Sequence, residues 1–141
     1  MTYKAVLNNP SQLNEIIHSD YLNFIKDKVQ TIRIDEGVFK LYTIDELCQL
    51  VTIDNKKMST IYSLKAYVET LREFLGNFTY DQNGNPFTLL RLALSPVIGS
   101  ENGNPIFVDY KDKNTIYIFH PDGGDITKTT LTLNKIIKNE Y

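Results

Sequence analysis

The sequence has few of the residues that cross-link small proteins or bind metals in them. One of its 141 residues is cysteine, Cys48, and none is tryptophan. A single thiol excludes an intramolecular disulfide and a metal site made of cysteines. Cys48 also lies in the apolar stripe of a predicted helix, where a thiol behaves as a small buried hydrophobe instead of a nucleophile. The composition therefore fits a reducing compartment, and we expect a cytoplasmic location.

Long apolar runs and an excess of one charge are also missing. No stretch approaches the ~20 apolar residues that span a bilayer, and the N-terminal apolar run ends at Asn8, too early for a signal peptide. The sequence thus predicts no membrane association. Its 15 Lys and Arg nearly balance 17 Asp and Glu, for a formal net charge of −2. That balance gives no electrostatic reason to expect nucleic acid as the partner.

The length and composition fit one domain over residues 1–141. Hydrophobic residues make up 42% and charged residues 23% of the chain, as in ordinary globular proteins. A chain of this length can bury a single sizeable core. We therefore expect a domain that folds by itself.

The first half of the sequence has the spacing of helices. Apolar residues recur at helical intervals over residues 9–25, and a longer helix is predicted from residue 59 to residue 75, with Gly76 ending it. Between them, residues 37–42 favour a short strand. Residues 43–46 have the form of a capping box that opens another helix.

The second half alternates apolar and polar residues and is divided by turn dipeptides, which indicates a sheet. Turns are predicted at Asn83-Gly84, Asn102-Gly103 and Asp122-Gly123, strands at 88–94, 106–110 and 115–120, and a closing helix over 131–137. The predicted fold class is α+β, a single domain with a mainly antiparallel sheet and helices packed on one side.

Catalytic motifs are missing from the sequence. It contains no nucleophile elbow, phosphate-binding glycine loop or His-Glu-x-x-His helix, and His18 is interpreted as a solvated helix residue. His120, Asp122 and Asp125 could converge on a metal ion, but the same segment could simply turn the chain. Nothing else supplies the remaining ligands, so we predict no enzyme, no metal and no cofactor.

Acidic residues and tyrosines are concentrated in the predicted turns of the second half. They could form an acidic rim that steers and anchors a basic protein partner. Alternatively, Asp and Asn occupy these positions only because turns favour them. The candidate partner-binding residues are Tyr80, Asp81, Glu101, Asp109, Tyr110, Asp112, Tyr117, Asp122 and Asp125.

Several strings in the second half are similar to those of a known family. Residues 89–93 followed by Ile98-Gly99, residues 103–109 (Gly-Asn-Pro-Ile-Phe-Val-Asp), and residues 116–120 (Ile-Tyr-Ile-Phe-His) followed by Asp122 resemble the SUKH superfamily. This group contains bacterial immunity proteins related to the fungal Smi/Knr cell-wall regulators. The resemblance covers residues 37–138, with Asn in place of the usual Asp at position 104 and no tryptophan.

The resemblance implies a protein that acts by binding. Members bind a polymorphic toxin domain, often a nuclease, inside the bacterial cell that makes it, and they block its active site. The expected function is therefore neutralisation of a cognate, basic toxin. A regulatory interaction scaffold like the fungal relatives is the alternative, and a metal-dependent hydrolase is the least favoured interpretation. The sequence leaves the oligomeric state open.

Overall fold

A computed structural model describes residues 6–7, 9–26 and 30–140, and its largest element is a six-stranded antiparallel sheet. Residues 1–5, in the N-terminal run considered for a signal peptide, lie outside the described residues. Across the sheet the strands follow one another as β1 (Gln30–Ile34), β2 (Gly37–Leu41), β7 (Val97–Glu101), β8 (Asn104–Val108), β9 (Thr115–Phe119) and β10 (Ile126–Thr132). Two smaller antiparallel ribbons pair β3 (Leu50–Ile53) with β4 (Lys56–Ser59) and β5 (Phe78–Tyr80) with β6 (Pro86–Thr88).

Short helices connect and cover the strands. They are α1 (Ser19–Ile25), α2 (Ile44–Cys48), α3 (Leu64–Leu75), α4 (Leu89–Leu94) and α5 (Leu133–Ile137), with 3₁₀ turns at Pro10–Glu15 and Thr60–Tyr62. The predicted capping box is confirmed, since Thr43 and Glu46 exchange both hydrogen bonds at the start of α2. Gly76, at φ +75°, ends α3 as predicted. None of the described helices is long and apolar enough to cross a membrane.

The central strands are apolar on both faces. Ile106 pairs with Ile118 on one face, which α1 and α5 cover, whereas Phe107 pairs with Tyr117 on the other, which α3 and α4 cover. The α+β class and the single domain with a mainly antiparallel sheet are confirmed. The helices, expected on one side, cover both faces, because a sheet that is apolar on both faces has to be shielded from water on both.

The prediction of a strand over residues 88–94 is wrong, because this segment forms helix α4. The Thr88 hydroxyl caps the helix by accepting a hydrogen bond from the Arg91 backbone N–H. Leu89 and Leu92 are buried, three residues apart, while Leu90 is exposed. Leucine, arginine and alanine are strong helix formers, so both the spacing and the local propensity favour the helix over the predicted alternation.

Other elements differ from prediction mainly at their boundaries. The predicted helix over residues 9–25 is divided into a 3₁₀ turn and α1, and the helix predicted from Ser59 begins at Leu64. The predicted hairpin of β8 and β9 and the predicted turns at Asn83-Gly84, Asn102-Gly103 and Asp122-Gly123 are confirmed. Strand β10 continues to Thr132, where the sequence suggested that the last helix had already begun.

Candidate partner-binding surfaces

The topology separates the predicted acidic rim into two parts. In an antiparallel order β7-β8-β9-β10, the first and third turns lie at one end of the sheet and the middle turn at the other. Glu101, Asp122 and Asp125 therefore lie at one end, and Asp112 lies at the opposite end. Strands of five residues put roughly 17 Å between the two ends, so these carboxylates do not form one continuous rim.

Asp109 is buried and paired, which corrects its interpretation as a contact residue. Its side chain is 3% exposed, and its Oδ1 accepts a hydrogen bond from Arg91 Nε at 2.7 Å, while Oδ2 binds Arg91 Nη2. The Lys111 backbone N–H donates to the same Oδ1. This carboxylate raises the pKa of Arg91, whose guanidinium also lies 4.0 Å from the centre of the Phe87 ring. Asp109 therefore stabilises the fold.

Tyr117 is also an interior residue and cannot be the exposed anchor that the sequence suggested. It is 6% exposed and stacks on Phe107, with ring centres 5.4 Å apart and planes 9° apart. The Phe87 and Tyr117 rings form an edge-to-face pair with centres 5.2 Å apart. Burial is the main reason that the pKa of Tyr117 is raised. The next residue on β9, Ile118, packs in the core on the opposite face of the sheet. The alternation of side chains along the strand therefore places Tyr117 in the core beneath α3 and α4.

Asp81 and Asp112 are at the surface but hold their own turns together. Asp81 Oδ1 accepts hydrogen bonds from the backbone N–H groups of Asn83 and Asn85. Asp112 Oδ1 accepts likewise from Asn114 and Thr115. Burial tends to raise the pKa of each carboxyl, but the hydrogen bonds that it accepts, which for Asp112 include one from the Thr115 hydroxyl, outweigh burial, and the pKa of each is lowered. The alternative explanation for the acidic turns, that turns favour Asp and Asn, accounts for these two positions.

The residues considered for catalysis have structural partners. His120 Nε2 is 2.7 Å from the Thr127 hydroxyl, and the histidine backbone closes the turn with Asp125 and Gly124. Within residues 6–7, 9–26 and 30–140, no three His, Cys, Asp or Glu side chains are grouped so as to hold a metal ion. His18 is exposed, and its Nδ1 accepts a hydrogen bond from the Asp20 backbone, which caps α1. Burial, assisted by Asp45, raises the pKa of the Cys48 thiol, which disfavours the reactive thiolate.

An exposed apolar patch lies where α3 runs into β5. It consists of Phe74, Leu75, Phe78 and Tyr80, of which Phe74 is 77% and Tyr80 51% exposed, and we call it the 74–80 patch. Thr79 pairs with Phe87 across the ribbon, and both are buried. Because side chains alternate along a strand, the two aromatic neighbours of Thr79 must point outward. Of these four residues, only Tyr80 was predicted from the sequence. The signal for the others was the apolar run Phe-Leu-Gly-Asn-Phe, which extends beyond the last buried turn of α3.

Hydrogen bonds hold two acidic loops close to β5. The Thr79 hydroxyl donates to the Gly124 carbonyl at 2.6 Å, so the loop that carries Asp122 and Asp125 packs against β5. The Gln82 side chain exchanges two hydrogen bonds of 2.8 Å with the Lys128 backbone, which fixes the turn of Asp81 beside β10. The fold thus brings together Tyr80, Asp81, Asp122 and Asp125 from the predicted set. Glu101 is at the same end of the sheet but two strands further away, on the β7–β8 turn.

A cleft of about 460 Å³ lies at the opposite end of the sheet. Its lining includes residues 14–18, which precede α1, Tyr62 and Lys65 at the start of α3, and the β8–β9 turn with Tyr110. A shallower hollow of about 440 Å³ beside it shares Leu94, Tyr110 and Lys113 with the cleft. Tyr110, 46% exposed, is therefore separated from the other exposed candidate tyrosine, Tyr80.

Comparisons with known proteins leave the family open. No family model matches the chain, and neither the curated proteins nor the solved structures include a match.

Proposed function

We propose that this protein is an immunity-type protein that binds and neutralises a cognate, basic toxin domain in the cytoplasm of the bacterial cell that makes the toxin. The observation that carries the proposal is the exposure of the 74–80 patch. Large apolar side chains that remain in water beside one another mark interaction sites in soluble proteins. Phenylalanine and tyrosine at the centre of such a site supply much of the binding energy in protein interfaces.

The charges around the 74–80 patch support a basic partner. Asp81, Asp122 and Asp125 are on the adjoining loops, and Glu73 precedes the patch on α3. The nearby cations on the same elements are Arg72 and Lys128. The surroundings are therefore acidic on balance. Acidic charge at the edge of an interface mainly accelerates association with a basic partner and excludes acidic ones.

The nature of the partner rests on the resemblance of residues 37–138 to the SUKH superfamily. Inhibition by an immunity protein needs no chemistry from the protein itself, because a tightly bound partner can block a toxin's active site. The proposal therefore needs only a rigid surface with exposed anchors. Thr79 is buried and bonded to the Gly124 carbonyl, which holds the neighbouring aromatic residues at fixed positions.

The experiment is a pull-down from the native cell with this protein as bait, followed by mass spectrometry and an inhibition assay on what is captured. The variant Phe74→Ala/Tyr80→Ala removes two anchors from the patch, and Leu50→Ala, as a control, removes an apolar side chain from the β3–β4 ribbon that is as exposed as Tyr80. All three side chains are exposed, so each substitution is expected to change the free energy of unfolding by less than about 0.5 kcal/mol.

The proposal predicts one toxin-like domain, captured by the wild type and by Leu50→Ala, inhibited by both, and lost from the double variant. Capture of several unrelated proteins without inhibition would favour a regulatory scaffold. A strain that produces the toxin and remains viable after this gene is deleted would contradict the immunity function.

A further inference from the structure

The cleft at the opposite end of the sheet from the 74–80 patch has the size and lining of a small-molecule site. Its volume of about 460 Å³ is within the range of ligand pockets, about 300–1,000 Å³. Its inner surface is apolar: Ile17 and Val108 are 5% and 2% exposed, and Leu94 and Pro96 lie beside them. Such a surface favours a ligand whose buried part is aliphatic or aromatic.

Tyrosines and lysines occupy the cleft together. Lys65 Nζ lies 4.6 Å from the centre of the Tyr62 ring, and Lys113 Nζ lies 5.7 Å from the centre of the Tyr110 ring. The rings can flank a flat ligand, and they hold the two ammonium groups at the cleft. An ammonium has three N–H donors and therefore can add a ligand oxygen to the contacts that it already makes.

Two carboxylates, Asp109 and Glu15, are also among the described residues that line the cleft. Asp109 lines the cleft, but both of its oxygens are bound by Arg91 and one also by the Lys111 backbone. Glu15 is the other carboxylate of the lining. Among the described lining residues, two lysines are therefore present with one carboxylate that Arg91 does not engage, so the formal charge of these side chains favours an anionic ligand.

We infer that the cleft binds a small amphipathic carboxylate, with its apolar body between the tyrosines and its carboxylate at Lys65 and Lys113. Charge-assisted hydrogen bonds from ammonium groups would fix the acid group. The inference is independent of the proposed function. The helix α3, of 12 residues and roughly 18 Å, separates the cleft at its start from the 74–80 patch at its end.

A change in the pKa of Lys65 would be a second sign that a ligand binds. Burial lowers the pKa of Lys65, because the charged form loses hydration. A carboxylate bound beside the ammonium would favour the charged form again. Binding should therefore raise the pKa of Lys65, which NMR titration of its Cε resonance can follow with and without ligand.

The test uses one ring system with three different polar groups: indole-3-acetate, its neutral amide indole-3-acetamide, and the cation tryptamine. Each is titrated into the folded protein and followed by amide NMR shifts. Indole-3-acetate is expected to bind with a dissociation constant below about 1 mM and to shift resonances of Tyr62, Lys65, Tyr110 and Lys113. The neutral amide should bind about five-fold more weakly, as expected for the loss of one partly exposed charge interaction.

Lys113→Gln tests the assignment of the carboxylate. It removes one cation and keeps a long side chain at a position of positive φ, so the preference for the acid over the amide should fall about two-fold or more. Lys57→Gln, which alters an exposed lysine on β4, should leave the preference unchanged. Equal binding of acid and amide, tighter binding of tryptamine, or no shifts at the cleft residues would each overturn the inference.

Discussion

Removal of Arg91 is the most informative perturbation of the interior. Its guanidinium binds both oxygens of Asp109, whose side chain is 3% exposed, whereas the Arg91 side chain is 24% exposed. Arg91→Met would keep much of the packing against Phe87. Among the described residues, it would leave the buried carboxylate with only the Lys111 backbone N–H as a hydrogen-bond partner. Loss of Arg91 therefore leaves a buried carboxylate, whereas loss of Asp109 leaves a guanidinium that is partly exposed to water.

The expected magnitudes follow from this asymmetry. Breaking a buried ion pair from one side costs about 3–5 kcal/mol, and we expect about 3 kcal/mol for Arg91→Met because water can approach through the space that the arginine vacates. Asp109→Asn keeps an acceptor for the Lys111 N–H and leaves an arginine that can reach water, so it should cost only about 1–2 kcal/mol. The double variant should cost less than the sum of the two, with a coupling of about 1–3 kcal/mol.

Urea denaturation at pH 7 gives the free energy of unfolding of the wild type, the two single variants and the double variant. With a slope of about 2 kcal/mol per molar urea, Arg91→Met should lower the unfolding midpoint by about 1.5 M, and Asp109→Asn by about half as much. Additive effects in the double variant, or a shift below about 0.3 M for Arg91→Met, would refute the structural role. So would an Asp109→Asn protein of unchanged stability that no longer binds its partner.

Four further substitutions test three other parts of the structure by the same assay. A Cβ on Gly99 would lie 2.3 Å from the Lys40 carbonyl oxygen, so Gly99→Ala should cost about 3 kcal/mol or more, whereas Gly84→Ala, in open space at φ +78°, should cost only about 1 kcal/mol. The buried Tyr21 hydroxyl has no hydrogen-bond partner in the described structure, so Tyr21→Phe should be neutral or up to about 1 kcal/mol more stable. The hydrogen bond from Lys40 lowers the pKa of Glu46 below its ordinary 4.5. Its stabilisation is therefore fully present above pH 4.5 and lost as the pH falls through the folded-state pKa, so Glu46→Gln should be less stable than wild type by under about 1 kcal/mol at pH 7 and equal to it near pH 2.

Each of these has a contrary result. Equal stabilities of Gly99→Ala and Gly84→Ala would mean that β2 and β7 separate without penalty. A loss above about 1 kcal/mol for Tyr21→Phe would reveal a partner for the hydroxyl. A difference between Glu46→Gln and wild type that persists at pH 2, where Glu46 is uncharged, would show that the charge of Glu46 is not the source of the stabilisation.

The sequence predicted those elements whose signals are local. Thr43 and Glu46 form a capping box within four residues, and Gly76 ends α3 because it supplies a positive φ. Residues 88–94 illustrate the limit. Over so short a run, alternation of apolar residues and a spacing of three or four are both compatible with Leu-Leu-Arg-Leu-Ala-Leu, and only the cap at Thr88 and the packing against α3 decide for the helix.

The site was harder to predict because exposure is a property of the whole fold. Asp109 and Asp112 are three residues apart and both suit turns, yet one is buried against Arg91 and the other is in solvent. Their difference depends on a partner 18 residues away. Phe74 and Phe78 are large and apolar, so the sequence alone would place them in the core. They remain exposed because α3 and the β5–β6 ribbon pack their opposite faces against the core.

The affinity of the captured partner for surface variants tests the central claim most directly. Isothermal titration of the purified partner against wild type, Phe74→Ala/Tyr80→Ala, Leu50→Ala and Tyr110→Ala gives four dissociation constants. The account predicts that the double variant binds at least about 30-fold more weakly, the effect of losing about 2 kcal/mol of interface energy, while Leu50→Ala and Tyr110→Ala bind like the wild type. Unchanged affinity of the double variant, with a loss in Tyr110→Ala instead, would contradict it and place the partner at the opposite end of the sheet.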